Sequence, residues 1–331
     1  MRKKWIRGGI FLCLVLLLLN NLNRVLCVKS PHGVDQTRYL YVQPKNKIDV
    51  LFLGSSHVHC NVNTQLLWDE YGMAAYLMTG AEQPLWNSYY NLKEALKNQK
   101  PKLVVLDMFC PSRFYDDFQP GWADENLDGM RISLNKLEAV YTSVQEEQSH
   151  FFLGFTEYHS RYDQLTTEDF QNFVWNRKTQ ERWKGYTPLN RHAELTEPDM
   201  SHVTTSQEMT EKSKEYFEKV VELTKKEGIT LALISGPYLL EERDQEVYNS
   251  IGQLAEKDGL LFWNTNTPAH YREMGLDFST DYADHAHLNE AGGAKYTAYL
   301  GKWLSQNYSF PDRRGQKGYE SWENQLMKSG E

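Results

Sequence analysis

Short apolar runs of strand length recur along the chain, each bounded by turn residues and set apart by a segment of helical length. They occupy residues 48–53, 73–78, 102–108, 230–235 and 260–263. Runs that are apolar throughout, rather than alternating, suit strands buried on both faces, as in a parallel sheet. Residues 64–71, 85–98, 206–227 and 241–258 read as the intervening helices, and a last helix runs over 290–306. Lys100 and Pro101 stop the second of these, and Gly228 ends the third as a C-terminal glycine does. This order implies an α/β fold: three layers, α/β/α, around a doubly wound parallel sheet of five strands. Ligands of such sheets bind at the carboxyl ends of the strands, which is where chemistry is to be sought.

The alternation breaks between residues 111 and 205, a stretch rich in Asp, Trp, Tyr and Phe. With no flexible linker at either edge, it reads as an insertion after the third strand rather than a separate domain. Within it, 167–184 is charged and helical in pattern, and Tyr158 to Tyr162 offers rings, a histidine and Arg161 to a sugar or an anion, or simply to packing. The 331-residue chain has a net charge of −8 and no basic stripe, which excludes a nucleic-acid binder. Four cysteines are too few for a disulfide scaffold, and Cys60 and Cys110 read as free thiols.

At the N-terminus Arg2, Lys3, Lys4 and Arg7 precede an apolar run from Gly8 to Leu19. Its core is the length of a secretory signal, yet no small-x-small cleavage site follows, so residues 1–28 are expected to be an uncleaved signal anchor. The basic end then stays in the cytoplasm and the globular part lies outside, single-pass in the cell membrane. A cleaved signal peptide is the alternative. Residues 29–47, polar and broken by Pro and Gly, read as a stalk. The main domain is expected over 48–310, followed by a polar, loosely held tail over 311–331.

Two strand ends carry candidate chemistry. The first strand ends in Gly54-Ser55-Ser56-His57, a tight turn into a helix that exposes a serine hydroxyl beside helical N–H groups. A serine in this place is also a common helix N-cap. After the fifth strand comes Asp281-Tyr282-Ala283-Asp284-His285-Ala286-His287-Leu288-Asn289, with Asn289 as the cap of the last helix and Gly292-Gly293 permitting close packing. Asp284 and His287 are three apart, close enough for the carboxylate to fix the imidazole tautomer and stabilise the imidazolium. A polar loop with surface histidines would share the pattern.

Gly-x-Ser after the first strand, with Asp-x-x-His-Leu-Asn before the last helix, resembles the SGNH (GDSL-type) hydrolases, which share a flavodoxin-like sheet. The resemblance covers residues 48–306 outside the insertion. It implies Ser56, third in the motif, as nucleophile, and Asp284 and His287 as its partners. The anchor, the Gly-Ser-Ser block and the aromatic insertion look more like the membrane-anchored branch acting on cell-envelope polymers, which includes exopolysaccharide O-acetyltransferases and DltD-like D-alanylation proteins. That likeness implies an esterase or O-acyltransferase acting on an envelope polysaccharide, with a multi-pass membrane acyltransferase as acyl donor and no cofactor. The family's oxyanion hole uses a glycine after the second strand, matched by Gly80, and an asparagine after the third. The third strand here ends Asp107-Met108-Phe109-Cys110, so Gln83 or Asn87 is the substitute to consider. Two other readings stand beside this one. His57 and His59 with Asp284, His285 and His287 offer enough ligands for zinc, and the fold is also compatible with a non-catalytic glycan-binding or envelope assembly protein. Ser235-Gly236-Pro237-Tyr238, after the fourth strand, reads as a loop-shaping element.

Overall fold

The structure is a computed structural model that describes residues 2–26, 33–152, 159–171 and 183–323. By internal contacts the chain divides into two units. The first combines Met1–Ser30 with Gln145–Gln180. Its main element is the helix α1 (Arg2–Leu26), apolar over Lys3–Asn23 with a mean hydropathy of 1.8 and long enough to cross a membrane or serve as a signal sequence. The sequence reading of a helix over 167–184 falls partly outside the described residues: Thr167–Gln171 is helical and 172–182 lie outside. Tyr158 and Cys27 also lie outside them.

The second unit holds the sheet. Helix α2 (Val34–Leu40) precedes β1 (Val50–Gly54), which is followed by α3 (Ser56–His59), α4 (Thr64–Tyr71), β2 (Ala75–Thr79), α5 (Leu85–Ala95) and β3 (Leu103–Asp107). The insertion contributes α6 (Phe109–Arg113), α7 (Ala123–Leu127) and α8 (Leu134–Ser143) to this unit. Then come α9 (Glu211–Glu227), β4 (Thr230–Ser235), α10 (Glu242–Asp258), β5 (Leu261–Asn264), α11 (Pro268–Met274), α12 (Glu290–Asn307) and α13 (Glu320–Glu323). The strands are parallel throughout in the order β2-β1-β3-β4-β5, with Gly54 opposite Thr79. This is the doubly wound sheet expected from the sequence. Every residue of β1, β2 and β3 is buried, because helices cover both faces. On one face Val50, Phe52 and Leu77 pack with Leu67 of α4 and Tyr296, Leu300 and Leu304 of α12. On the other, α5 and α9 pack together over the sheet. Helix α9 starts at Glu211 rather than at 206 because Thr210 caps it, accepting from the Ser213 N–H.

Two segments pack more firmly than their sequence suggests. The expected stalk holds α2, whose Val34, Gln36, Thr37 and Leu40 are buried. Gln36 bonds Thr79 through Oε1 and Gly185 O through Nε2, so its amide is satisfied by tertiary partners alone. The described part of the polar tail is also docked. Arg313 makes a fork to both oxygens of Asp49 at 2.7 and 2.9 Å, and Trp322, fully buried, donates Nε1–H to Ala75 O at 3.0 Å. The indole and the 183–185 turn thereby cover β2, an edge strand that would otherwise offer unpaired backbone groups.

Candidate active site

The switch point of the sheet lies between β1 and β3, where the chain leaves in opposite directions. Gly54 closes β1 with φ +156°, a conformation suited to glycine. A methyl group there would stand 2.7 Å from Asp107 Cβ and 2.8 Å from Val58 Cγ2, so glycine also lets the end of β3 come close. Ser55 follows in extended conformation and caps α3, its Oγ accepting from the His57 N–H at 3.2 Å. The cap role thus falls to Ser55, and the hydroxyl of Ser56, half-buried, turns elsewhere.

It meets His287. Ser56 Oγ lies 2.8 Å from His287 Nε2, and His287 Nδ1 lies 2.7 Å from Asp284 Oδ1. The three residues named from the sequence are therefore brought into one relay across 231 positions of chain. Asp284 Oδ1 also accepts from the N–H groups of Ala286 and His287, and Oδ2 accepts from Arg191 Nη2 at 3.0 Å. Burial pushes the Asp284 carboxyl upward, but the His287 hydrogen bond and charge, the Ala286 N–H and Arg191 outweigh it and hold the group at about 2. An ionised Asp284 keeps a proton on His287 Nδ1 and leaves Nε2 to accept from the serine.

The loop carrying the dyad is pinned from several sides. Tyr282 pairs with Leu288 and with Ala193 in antiparallel bridges, and Ala283 donates its N–H to His287 O. Asn289 caps α12 as expected, accepting from the Gly292 N–H at 3.1 Å. Asn61, just past α3, accepts from the Leu288 N–H at 2.9 Å and so ties the end of α3 to the residue after His287. Thr297 of α12 donates back to Asn61 O. Neither Asn61 nor Arg191 was singled out in the sequence. Asn61 sits only five residues past Ser56, but its role exists only through contact with 288 and 297. Arg191 sits in the insertion, where periodicity carries no signal.

Around Ser56, the N–H groups of Ser56 and Gly80 enter no hydrogen bond among the described residues. Gly80 follows Thr79, the register partner of Gly54, which sets it beside the turn into α3. Asn126 of α7 packs on it so closely that a methyl at Gly80 would stand 2.4 Å from Asn126 Oδ1. Gln83 and Asn87 are both buried. Gln83 donates to Ser88 Oγ at 3.0 Å and accepts from Asn91, while Asn87 accepts from Ser143 Oγ at 2.6 Å. Among the described residues, neither of these amides bonds Ser56 or His287. Asp107, the last residue of β3, is buried against His57, with Oδ1 3.3 Å from Nδ1. Phe109 stacks on the His57 ring at 4.6 Å and Tyr238 meets it edge-on at 5.4 Å, so the 235–238 loop shapes this buried floor. His59 Nδ1 faces Thr79 Oγ1. Among the described residues no group of three His, Cys, Asp or Glu is arranged to hold a metal. Cys60 and Cys110 are free and buried, and burial pushes the Cys60 thiol up to about 12, out of the range of a nucleophile.

No family model matches the chain, and no curated protein matches it. Among solved structures, a Bacteroides fragilis protein carrying a provisional acylhydrolase assignment is 13% identical with a TM-score of 0.41 over 82% of this chain and 94% of that one. A gut microbial diltiazem-metabolizing enzyme is 10% identical with a TM-score of 0.40, and the match covers 79% of this chain and about half (48%) of that protein.

Proposed function

We propose that this chain is an extracytoplasmic serine acyl-transfer enzyme of the SGNH type, an O-acyltransferase or esterase acting on a cell-envelope polysaccharide. The observation that carries this reading is the Ser56–His287–Asp284 relay, with both hydrogen bonds below 3 Å. His287 Nε2 takes the Ser56 proton as Oγ attacks an ester carbonyl. The oxyanion is held by the Ser56 and Gly80 N–H groups. His287 then returns the proton to the leaving alkoxide, and an acyl-serine remains. A sugar hydroxyl or a water, deprotonated by His287, takes the acyl group and frees the serine. The two outcomes share every one of these residues and differ only in acceptor binding and exclusion of water. The apolar α1 supports membrane attachment, and the resemblance noted above supports a polymer acceptor fed by a multi-pass acyltransferase.

A second reading, a glycan-binding or assembly protein on the same fold, is favoured by one feature: no asparagine stands directly after β3, where Met108, Phe109 and Cys110 follow, and Asp107 is turned to His57. A serine-directed fluorophosphonate separates the two. The wild-type chain is expected to label at Ser56, and Ser56→Ala and His287→Ala to lose labelling and aryl acetate hydrolysis. Absence of labelling in the wild type, or labelling unchanged in Ser56→Ala, overturns the acyl-enzyme. Activity lost to a chelator but kept in Ser56→Ala would point to a metal instead.

A further inference from the structure

Helix α8 is amphipathic the wrong way round for a helix between a protein core and water. Its buried side holds Asn135, Lys136, Ala139, Val140 and Ser143, and each polar member has a partner there. Asn135 donates to Tyr90 O and Glu94 Oε2, Lys136 faces Asp128, and Ser143 bonds Asn87. Its outward side holds Leu134, 77% exposed, with Leu137 and Tyr141, spaced three and seven residues on. Ile132, just before the helix, is 74% exposed beside them. The helix has one carboxylate, Glu138, which is paired with Lys93 at 2.7 Å. The neighbouring Arg131 is exposed, its guanidinium lying over the Tyr41 ring. A contiguous apolar face of this kind, edged by a cation and with its acid neutralised, marks an interaction surface.

The connection to α1 identifies what it meets. Six residues, 27–32, join Leu26 to Gly33, at most about 25 Å of fully extended chain. Gly33 packs directly on α7, where a methyl group would stand 2.3 Å from Glu125 O, and α7 packs on α8. Tyr41, just past α2, accepts from the Arg131 N–H at 3.0 Å. The point where the chain enters this unit and the apolar face therefore belong to one helix cluster. We propose that Ile132, Leu134, Leu137 and Tyr141 dock into the headgroup and acyl boundary of the bilayer in which α1 is anchored. This rests on the anchor reading above. A surface helix with an apolar face lies in that boundary, its phenol at headgroup level and its cations toward anionic lipid. Because α7 also carries Asn126 against Gly80, docking holds the acyl-transfer site next to the membrane, where a lipid-linked or membrane-delivered acyl donor arrives.

The test uses the full chain, with Cys13→Ser and Cys27→Ser, reconstituted into phosphatidylcholine and phosphatidylglycerol vesicles. A nitroxide is placed at Leu137→Cys, or at Lys257→Cys on α10 as an exposed reference. The label at 137 is expected to be several-fold less accessible than the reference to a water-soluble nickel chelate and more accessible to oxygen, at every protein-to-lipid ratio. An I132S/L134S background is expected to restore nickel access to a label at Tyr141→Cys while circular dichroism stays unchanged. Equal nickel access at 137 and 257 in a chain that floats with the vesicles overturns docking and leaves the anchor intact. A chain that does not float removes the anchor and docking together. Protection that grows with protein density assigns the face to a second copy and overturns the lipid proposal.

Discussion

Ser55 and Ser56 carry the same hydroxyl and use it differently: one satisfies the His57 N–H in the first turn of α3, and the next reaches His287 Nε2. The difference arises because the cap position has extended backbone while the first helical residue projects away from the turn. Asp284 is likewise defined by what it touches. Its carboxyl is held at about 2, so it is ionised at any pH above that. Since its folded value is depressed, its contribution to stability is present above the ordinary carboxylate value of ~3.9 and is lost as pH falls through about 2. Loss of activity above about pH 5 therefore belongs to another group. Asp284→Asn is expected to lower kcat/KM on an aryl acetate by roughly 10³–10⁴-fold, since an amide favours the wrong tautomer of His287. Arg191→Ala removes a largely exposed ion pair and is expected to cost under about 5-fold. If Arg191→Ala proved as damaging as Asp284→Asn, Arg191 would be handling substrate or the relay rather than trimming a charge.

At the scale of elements, the site depends on the start of α12 seating against two others. Gly292 has the Asp281 carbonyl where its side chain would be, since a methyl group there would stand 2.2 Å from Asp281 O, and Gly293 lies against Asn61 O. Backbone on both sides leaves a larger residue no room. Gly292→Ala is expected to shift the loop bearing His287 and to reduce kcat about 100-fold, because displacements near 1 Å have that effect. Its stability should fall by only ~1–3 kcal/mol, as in overpacked cores. Fluorophosphonate labelling rates and urea midpoints measured on one preparation separate the two. A variant that kept full labelling would show that the loop is placed by Asn61 and the bridges to Tyr282 alone. The glycines and the asparagine cap were visible in the sequence as a pattern. Which backbone they admitted was not, since that contact joins 292 to 281 and 61.

For the whole molecule, segments outside the central alternation, 34–40 and 313–323, complete the unit that holds the sheet. Trp322 fills a fully buried place beside β2, and Lys184 Nζ lies 3.8 Å over its ring while bonding Gln43 and Ser321. Trp322→Ala is expected to lower the urea unfolding free energy by ~3–5 kcal/mol with little change in labelling at Ser56, because the cavity opens at the sheet edge away from the switch point. A loss under ~1 kcal/mol would mean that the tail contributes little to the domain. The sequence by itself determined the five-stranded parallel α/β order, since strands covered on both faces, such as β1, β2 and β3, are apolar over nearly all their length and leave that mark locally. It also determined the residue types of the relay, because a serine after the first strand and Asp-x-x-His before the last helix are local patterns. Only the tertiary structure decided that Ser55 caps while Ser56 faces His287, that Asp107 meets His57, that Arg191 and Asn61 bond the loop bearing Asp284 and His287, and that residues 34–40 and 313–322 pack on the sheet unit. Each of these depends on partners brought together by the folded chain, and the free energy of such a contact leaves no trace in the spacing of either partner alone.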